Sequence, residues 1–349
     1  MSCLATSLNR TLRLRALAAG LFALFAACGE DNAGPSQATE ASAPAAAPAD
    51  SAPAPVDSAS APTDSVTSGG PDLPVPSATS SSPGIAFGTF NMRNDYLNSV
   101  HTGWMNGGPL EPSNILSFLS GARVKGGRAV IKLSKGKDSY IKNGDGTFSL
   151  TKWKALVVRY RTVNLDPYIS DGTIIGHYLI DEPHLTSRWG GRAISQATLE
   201  DMAAFSKDLW PQMATLVRVA PSYLASSSVT YKHLDAGWAQ YTVGKGDAKQ
   251  WVEAETAAAK RKGLGLVVGM NVINGGNGSS RIRGSRSGEW SMSASEIRSY
   301  GTAMLSASHA CAFFNWQHDI GYYGRSDIKS AMAEVSAKAK SHAQTSCRQ

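Results

Sequence analysis

The stretch Thr173-Ile-Ile-Gly-His-Tyr-Leu-Ile180 is a short, almost continuous apolar run that ends in Asp181-Glu182-Pro183. Strands that are buried on both faces, as in parallel sheets, show this continuous pattern rather than a strict alternation. Six further runs of the same kind occupy residues 85–90, 128–133, 214–220, 237–243, 264–270 and 310–316. The sequence therefore predicts a parallel sheet with seven clear strands, and we expect an eighth that the pattern does not locate.

Amphipathic stretches with helix-start signals alternate with these runs. Ser293-Ala-Ser-Glu296 is a capping box, and Gly263 follows another stretch as a helix stop. Alternating strands and helices imply right-handed crossovers between parallel strands. The predicted helices cover residues 151–161, 196–210, 248–262, 297–306 and, from Ser326 or Asp327, a last helix to residue 342.

This alternation predicts an α/β fold of the (β/α)8 TIM-barrel type over residues 84–349, irregular because only seven strands are clear. An open doubly wound sheet is the alternative, but no glycine-rich dinucleotide fingerprint follows the first run. Asn143-Gly-Asp-Gly146, within residues 140–150, predicts a β-hairpin on the rim of the barrel.

The chain begins with the features of a secretory signal in residues 1–27: three arginines and no acid, then a short apolar run. Phe25-Ala-Ala-Cys28 resembles the lipobox of bacterial lipoproteins, with phenylalanine where that family usually has leucine. The resemblance implies lipidation of Cys28 and export to the cell envelope, and Gly29 favours the outer membrane. An ordinary cleaved signal with a chance cysteine is the alternative. The rest of residues 28–83 is rich in Ala, Pro, Ser and Thr, which predicts a disordered tether.

Charge is distributed unevenly along the chain. The formal net charge is +7, and removing the three arginines of the signal and the seven acids of the tether leaves +11 on residues 84–349. In an exported protein this favours anionic polymers or lipid headgroups over nucleic acid, with solubility and a local basic patch as the alternative. We expect a monomer that touches the membrane only through its lipid, with no nucleic-acid partner and no cofactor. No HxH or HExxH spacing occurs, so we expect no metal.

Two cysteines remain after Cys3 of the signal and the lipid site Cys28. Cys311 begins the last apolar run and Cys347 follows the last predicted helix. In an oxidising compartment an even pair favours a disulfide, which would contribute about 3 kcal/mol in the chain-entropy model. Two free thiols are the alternative.

Polar and aromatic residues follow the apolar runs, at the ends where a parallel barrel collects its active site. Asp181 and Glu182 are the most informative, because a carboxylate pair at the end of a buried strand packs poorly. A partly desolvated carboxyl can hold a proton near neutral pH and act as a general acid. The predicted substrate-binding residues at the same ends are Asn91, Arg93, Lys132, His184, Arg218, Gln240, Tyr241, Asn271 and Trp316.

The Asp181-Glu182-Pro183 segment resembles the Asn-Glu-Pro that ends a strand in retaining glycoside hydrolases of the barrel type. The resemblance implies that Glu182 is the acid/base, and that Asp181 stands where the family has an asparagine that holds the sugar 2-hydroxyl. The resemblance to these enzymes is limited to the three residues 181–183 and to the barrel architecture. The family's second glutamate is missing, since the comparable later strand ends in Gly269-Met-Asn-Val-Ile-Asn274 without an acid.

Three residues are candidates for the second carboxylate: Asp319, which we favour because it follows the last strand, Glu289 and Asp181 itself. Each has a structural alternative. Asp181 and Glu182 could form a rim salt bridge with Arg188, Arg192 or Arg218. Asp319 could cap a helix, and Glu289 could form a solvated ion pair.

The leading hypothesis is a surface-tethered glycoside hydrolase-like protein that acts on a polysaccharide with Glu182 as general acid. The set of Trp104, Trp189, Trp238, Tyr241, Trp290 and Trp316 near strand ends supports a sugar ligand. The rival hypothesis is a non-catalytic glycan- or envelope-binding lipoprotein on the same barrel, and a purely structural surface protein is a third.

Overall fold

A computed structural model describes residues 84–105 and 110–348. The predicted signal peptide, the lipid site Cys28 and the tether lie outside the described residues. Within the described part of the chain, no helix is both long enough and apolar enough to cross a membrane.

Eight parallel strands form a closed barrel in chain order, with β8 pairing back to β1. The predicted TIM-type barrel is therefore confirmed. The seven strands expected from the apolar runs are all present, and the eighth is the three-residue β2, too short to show a pattern. The strands are β1 (Ala86–Phe90), β2 (Gly103–Met105), β3 (Arg128–Ile131), β4 (Ile174–Asp181), β5 (Thr215–Arg218), β6 (Ala236–Tyr241), β7 (Gly265–Met270) and β8 (Ala310–Asn315).

Nine α-helices surround the barrel in the described residues, and the five predicted ones are α2, α4, α6, α7 and α9. The predicted capping box of Ser293 and Glu296 is present at α7, and Asp247 accepts from the amide of Gln250 at α6. The last helix differs from the prediction, because its N-cap is Arg325 and no side chain caps it. The helices are α1 (Ile115–Val124), α2 (Leu150–Val157), α3 (Asp166–Ser170), α4 (Gln196–Leu209), α5 (Pro221–Ala225), α6 (Ala248–Arg261), α7 (Ala294–Met304), α8 (Ile320–Gly324) and α9 (Ser326–Ser341).

The first connection makes the barrel irregular. Between β1 and β2 the chain forms only a 3-10 turn at Asn94–Tyr96 instead of a helix. The two strands also approach each other closely, since a Cβ at Gly88 would lie 1.6 Å from the carbonyl oxygen of Gly103. Only glycine fits there, so β1 and β2 are closer than branched side chains would allow.

The predicted hairpin on the rim is present in reduced form. A single antiparallel bridge joins Lys142 to Phe148, and a turn at Asn143 and Gly146 closes it. Its tip packs against Gly190 in the loop after β4, where a Cβ would lie 2.7 Å from the carbonyl oxygen of Asp145. The hairpin therefore supports the loop that leaves the candidate site.

Aromatic side chains fill the inside of the barrel. Phe90 lies 6.0 Å from Tyr178, 6.3 Å from Trp238 and 4.6 Å from Trp316 between ring centroids. Such tilted and edge-to-face pairs add a favourable term to the burial of apolar area. The interior is thus a packed core on which the charged groups above it rest.

Candidate functional site

Two carboxylates and two guanidinium groups form a closed ion-pair ring at the carboxyl ends of β4 and β5. Arg218 donates to Asp181 and to Glu182, both at 2.8 Å. Arg188, in the loop after β4, donates to the same two residues at 2.8 and 3.0 Å. We call Asp181, Glu182, Arg188 and Arg218 the charged ring.

Two further charged residues flank the charged ring. Asp138, in the 3-10 turn Asp138–Ile141 after β3, accepts from Nε of Arg188 at 2.5 Å. Lys132, which follows β3 directly, is only 4% exposed. No described residue forms an ion pair with Lys132, and burial lowers the pKa of its ammonium although Asp138 and Asp181 oppose that shift. Three acids and three bases therefore balance one another at this end of the barrel.

The guanidinium of Arg218 is held by aromatic faces as well as by carboxylates. Its central carbon lies 4.5 Å from the ring centroid of Trp316 and 5.1 Å from that of Trp238. A buried guanidinium is stabilised by such stacking when carboxylates also accept from it, as Asp181 and Glu182 do from Nη1 and Nη2 of Arg218. Nε of Arg218 has no partner among the described residues. Arg218 is therefore fixed in position before any ligand arrives.

Burial and neighbouring charges act on Asp181 in opposite directions. Burial would raise the pKa of this carboxyl, but Arg218 and Arg188 outweigh it and hold the pKa below its usual range. Asp181 is thus an ionised hydrogen-bond acceptor at neutral pH. It can form ion pairs with the two arginines, but it has no proton to donate as a general acid.

The backbone is strained at the same end of the barrel. Three of the four described non-glycine residues with positive φ follow strands: Asn91 at 58° after β1, Lys135 at 65° after β3, and Glu182 at 44° after β4. Each such conformation costs about 1–3 kcal/mol and persists only where the surroundings enforce it. At Glu182 the backbone turn lets adjacent residues 181 and 182 reach the same two arginines.

The charged ring brings carboxylates close enough for glycosidase chemistry but also neutralises them. The Asp181 and Glu182 oxygens that share Nη1 of Arg188 lie at most about 5.8 Å apart, the sum of their two distances. Retaining enzymes place their carboxyls about 5–5.5 Å apart. However, both oxygens of Glu182 accept from guanidinium groups, so the salt-bridge alternative with Arg188 and Arg218 describes the resting state. Arg192 makes no ion pair with either acid.

Asp319 is engaged elsewhere. Its side chain accepts from the amide of Tyr322 at 2.7 Å and caps α8, as the structural alternative for this residue predicted. Glu289 lies 4.0 Å from Arg286 and both are solvent-accessible, which is the expected surface ion pair. Of the three candidates for the second carboxylate, only Asp181 shares partners with Glu182, through Arg188 and Arg218.

The predicted binding residues divide into two groups. The first group lies at or beside the charged ring, or at the aromatic core beneath it, and consists of Lys132, Arg218, Gln240 and Trp316. In this group, Nε2 of Gln240 is buried without a hydrogen-bond partner among the described residues. Asn91 and His184 follow β1 and β4 and are exposed, and Asn271 accepts from the amide of Asn274.

Two predicted binding residues are directed away from a ligand. Tyr241 is 1% exposed, packs between Trp251 and Tyr300 in the layer of helices, and donates to the carbonyl of Gly246. Arg93 is exposed and pairs with Asp95. Of the six aromatic residues predicted near strand ends, only Trp290 and Trp316 retain accessible surface, since Trp104, Trp189, Trp238 and Tyr241 are buried.

Asp138 is the site residue that the sequence did not indicate. It lies six residues beyond Lys132, past the strand end where candidates were sought, and reaches the charged ring only because the 3-10 turn folds back. A carboxylate in a long loop after a strand was the only available signal. Within the described residues, no three His, Cys, Asp or Glu side chains are grouped as a metal site requires.

No protein-family model and no curated protein matches this chain. Solved structures match it in fold. A beta-glucanase from Saccharophagus degradans, crystallised with cellotetraose, is 11% identical with a TM-score of 0.52, over 74% of this chain and 88% of its own. The native form of that enzyme gives the same values. A GH113 beta-1,4-mannanase is 11% identical with a TM-score of 0.49, over 74% of this chain and 99% of its own.

The match to the beta-glucanase, with a TM-score of 0.52, shows that the chain has a glycosidase-like barrel fold. This confirms the resemblance to barrel-type glycoside hydrolases at the level of architecture. At 11% identity the likeness shows the fold alone, and fold by itself does not determine function.

Proposed function

We propose that this chain is an exported surface protein that binds a polysaccharide at the carboxyl ends of its barrel strands. The observation that carries the proposal is the charged ring, seated on aromatic side chains with Trp316 partly accessible beside it. Carboxylates and guanidinium groups offer acceptors and donors to sugar hydroxyls, and a partly exposed indole offers a face to a sugar ring. The beta-glucanase neighbour, which was crystallised with cellotetraose, supports the ligand class.

The charged ring suits binding because it is assembled in advance. Glu182 and Arg188 keep about a quarter of their side chains exposed, whereas Asp181 and Arg218 are almost fully buried. A ligand can therefore touch the outer pair while the inner pair keeps its geometry. Preorganisation of this kind lowers the entropic cost of association. Asn91, Gln240 and Asn271 are the further side chains that we propose contact the sugar, while the buried Lys132 stays with the inner pair.

The second candidate function is glycoside hydrolysis, which the strained Glu182 backbone and its carboxylate neighbours favour. In this case Glu182 protonates the leaving oxygen, and Asp181 or Asp319 serves as nucleophile or base. The bound substrate would first have to displace Arg188 from Glu182, because both carboxylate oxygens of Glu182 already accept from guanidinium groups and neither faces a leaving oxygen unpaired. Binding requires no such rearrangement, so it is the function that the geometry supports better.

One pair of measurements tests both candidates. The mature protein is incubated with a panel of polysaccharides, and bound protein and new reducing ends are scored separately. Binding without reducing ends supports the first proposal; reducing ends that disappear in Glu182→Gln support the second. Unchanged sugar release in Glu182→Gln would remove Glu182 from the chemistry. The absence of both binding and release across the panel would refute both candidates.

We also propose lipidation at Cys28, with residues 29–83 as the tether that separates the domain from the outer membrane. The support is the lipobox-like Phe25-Ala-Ala-Cys28 and the composition that follows it. In a bacterial host the wild-type protein should incorporate labelled palmitate and fractionate with the outer membrane. Cys28→Ser should lose both the label and the membrane association; retention of the label would place the lipid elsewhere.

A further inference from the structure

A cavity of about 400 Å³ lies at the same end of the barrel as the charged ring, between the loop after β7 and the helix α8. Ligand pockets in proteins commonly measure about 300–1,000 Å³. Ile273, Ile282 and Tyr322 form apolar parts of its wall, and Arg283 and Arg325 also line it. The cavity therefore combines an apolar surface of the kind that a sugar ring contacts with two cationic groups.

Arg283 is the cation in this cavity that is free to bind a ligand. It is exposed, and its guanidinium carbon lies 4.0 Å from the ring centroid of Trp290. No described acidic residue forms an ion pair with it. By contrast, Arg325 pairs with Asp327 at 3.3 Å, and Asp319 in the same wall already caps α8. A guanidinium fixed by stacking, with its donors unused, is well suited to bidentate binding of an anion.

The loop that carries Arg283 is held firmly. The Asn274 side chain accepts from the amide of Ser285 at 2.7 Å and donates to its hydroxyl at 2.8 Å. Glu296 accepts from the amide of Asn277 at 2.8 Å, and Gly278 lies against the ring of Trp290. Residues 275–280 therefore form a loop that is fixed by side-chain hydrogen bonds.

The surroundings of the cavity are electropositive. Residues 271–293 contain Arg281, Arg283 and Arg286 but only one acid, Glu289, and residues 84–349 carry a net charge of +11. A basic surface raises the local concentration of anionic ligands and speeds their association. The unpaired arginine therefore lies where an anionic polymer is attracted.

We propose that this cavity is a subsite for the anionic group, carboxylate or sulfate, of an acidic sugar in the polysaccharide that the protein binds. The inference rests on the proposed function and names its substrate class: an acidic polysaccharide that extends along the carboxyl ends of the strands. Arg283 binds the anionic group through two donors, and the apolar wall contacts the sugar ring.

The experiment compares three probes on the mature protein: polygalacturonate for carboxylate, dextran sulfate for sulfate, and mannan as a neutral polymer. We expect at least tenfold tighter binding of one anionic probe than of mannan. The anionic probe that binds more tightly identifies the anion as carboxylate or sulfate. Arg283→Ala should remove most of that preference, while Arg283→Lys should recover only part of it because a lysine lacks the planar fork. Arg298→Ala is the matched control, an arginine on α7 that pairs with Glu334 at 2.8 Å.

The outcomes separate this inference from the proposed function. Mannan bound as tightly as the anionic probes, with Arg283→Ala unchanged, would overturn the subsite and leave polysaccharide binding intact. Equal losses in Arg283→Ala and Arg298→Ala would show attraction by overall charge and would also overturn the subsite. Failure to bind any of the wider polysaccharide panel would refute the proposed function itself.

Discussion

The two ends of the barrel are built by opposite means. At the carboxyl ends of the strands, charged groups face one another above an aromatic core, and the backbone is strained at Asn91, Lys135 and Glu182. At the other end, the disulfide between Cys311 and Cys347 joins the tail of the chain to the start of β8. Thr345 and Arg348 of the same tail bind residues that precede β8 and β5. One end holds the charged ring and the strained backbone, and the other is covalently closed, with a separate buried ion pair between Lys207 and Asp235 before β6.

This contrast shows at which end of the barrel the fold contains features that lower its stability. Buried charges and positive φ angles in non-glycine residues lower stability, so the meeting of the charged ring with three such angles at the carboxyl ends indicates a functional site. The predicted disulfide is confirmed and contributes stability far from that site. If the division is real, changes at the two ends should separate stability from ligand binding.

The largest effect is expected for Arg218→Ala. The substitution leaves Asp181 buried with only Arg188 as ion-pair partner, and breaking a buried ion pair typically costs about 3–5 kcal/mol. Arg188→Ala should cost less, because Arg188 is 25% exposed and water can replace it. Urea denaturation of both variants measures the difference; equal, small losses would mean that the charged ring is not a structural unit.

The disulfide should come next in magnitude and should leave the ligand unaffected. The double variant Cys311→Ser/Cys347→Ser is expected to lose about 3 to 4 kcal/mol of unfolding free energy in the chain-entropy model. Polysaccharide affinity should remain within twofold of wild type. A reductant should destabilise the wild type and not the double variant. A loss of affinity in the double variant would contradict the independence of the two ends.

The pH dependence of the free energy of unfolding should reflect the charged ring at the carboxyl ends of the strands. The folded-state pKa of Asp181 is held below its unfolded value by Arg218 and Arg188. The contribution of Asp181 to the free energy of unfolding is therefore fully present above its unfolded pKa of about 3.9, and it is lost as the pH falls through its folded pKa. Stability measured from pH 6 to pH 2 should fall less steeply in Asp181→Asn. An unchanged slope would assign the acid sensitivity to other groups.

The smallest effect is expected for Trp316→Ala in ligand binding. Loss of one partly exposed indole face should weaken polysaccharide binding by about 1 kcal/mol, or roughly fivefold. Trp251→Ala, on the outer helix α6, is the matched control and should leave affinity unchanged. Similar affinities for the two variants would place the sugar away from the charged ring.

Much of the fold could be predicted because local signals carried it. The seven apolar runs and the capping box at Ser293 depend on residues that are neighbours in the chain, so the sequence shows them directly. The cysteine pairing needed only the count of cysteines and the prediction of an oxidising compartment. β2 was missed because Gly103–Met105 is three residues long and gives no period, and α1 lacked a clear capping signal.

The site was predicted in part. Asp181, Glu182 and Arg218 were found because they end predicted strands, and the sequence offered Arg188 as a salt-bridge partner. Asp138 was missed, and the unpaired state of Arg283 could not be inferred, because both depend on how loops fold back. Tyr241 also ends a strand, but its side chain is turned toward the helices rather than toward the interior.

By itself, the amino-acid sequence determined the parallel barrel, most of its helices and the end of the barrel where polar groups collect. These follow from apolar periodicity and capping, which act between residues close in the chain. Only the tertiary structure decided that two carboxylates close a ring with two arginines while a third arginine stays unpaired. The energy of a charge depends on its distances to other charges and on its burial, and packing across the whole barrel sets both.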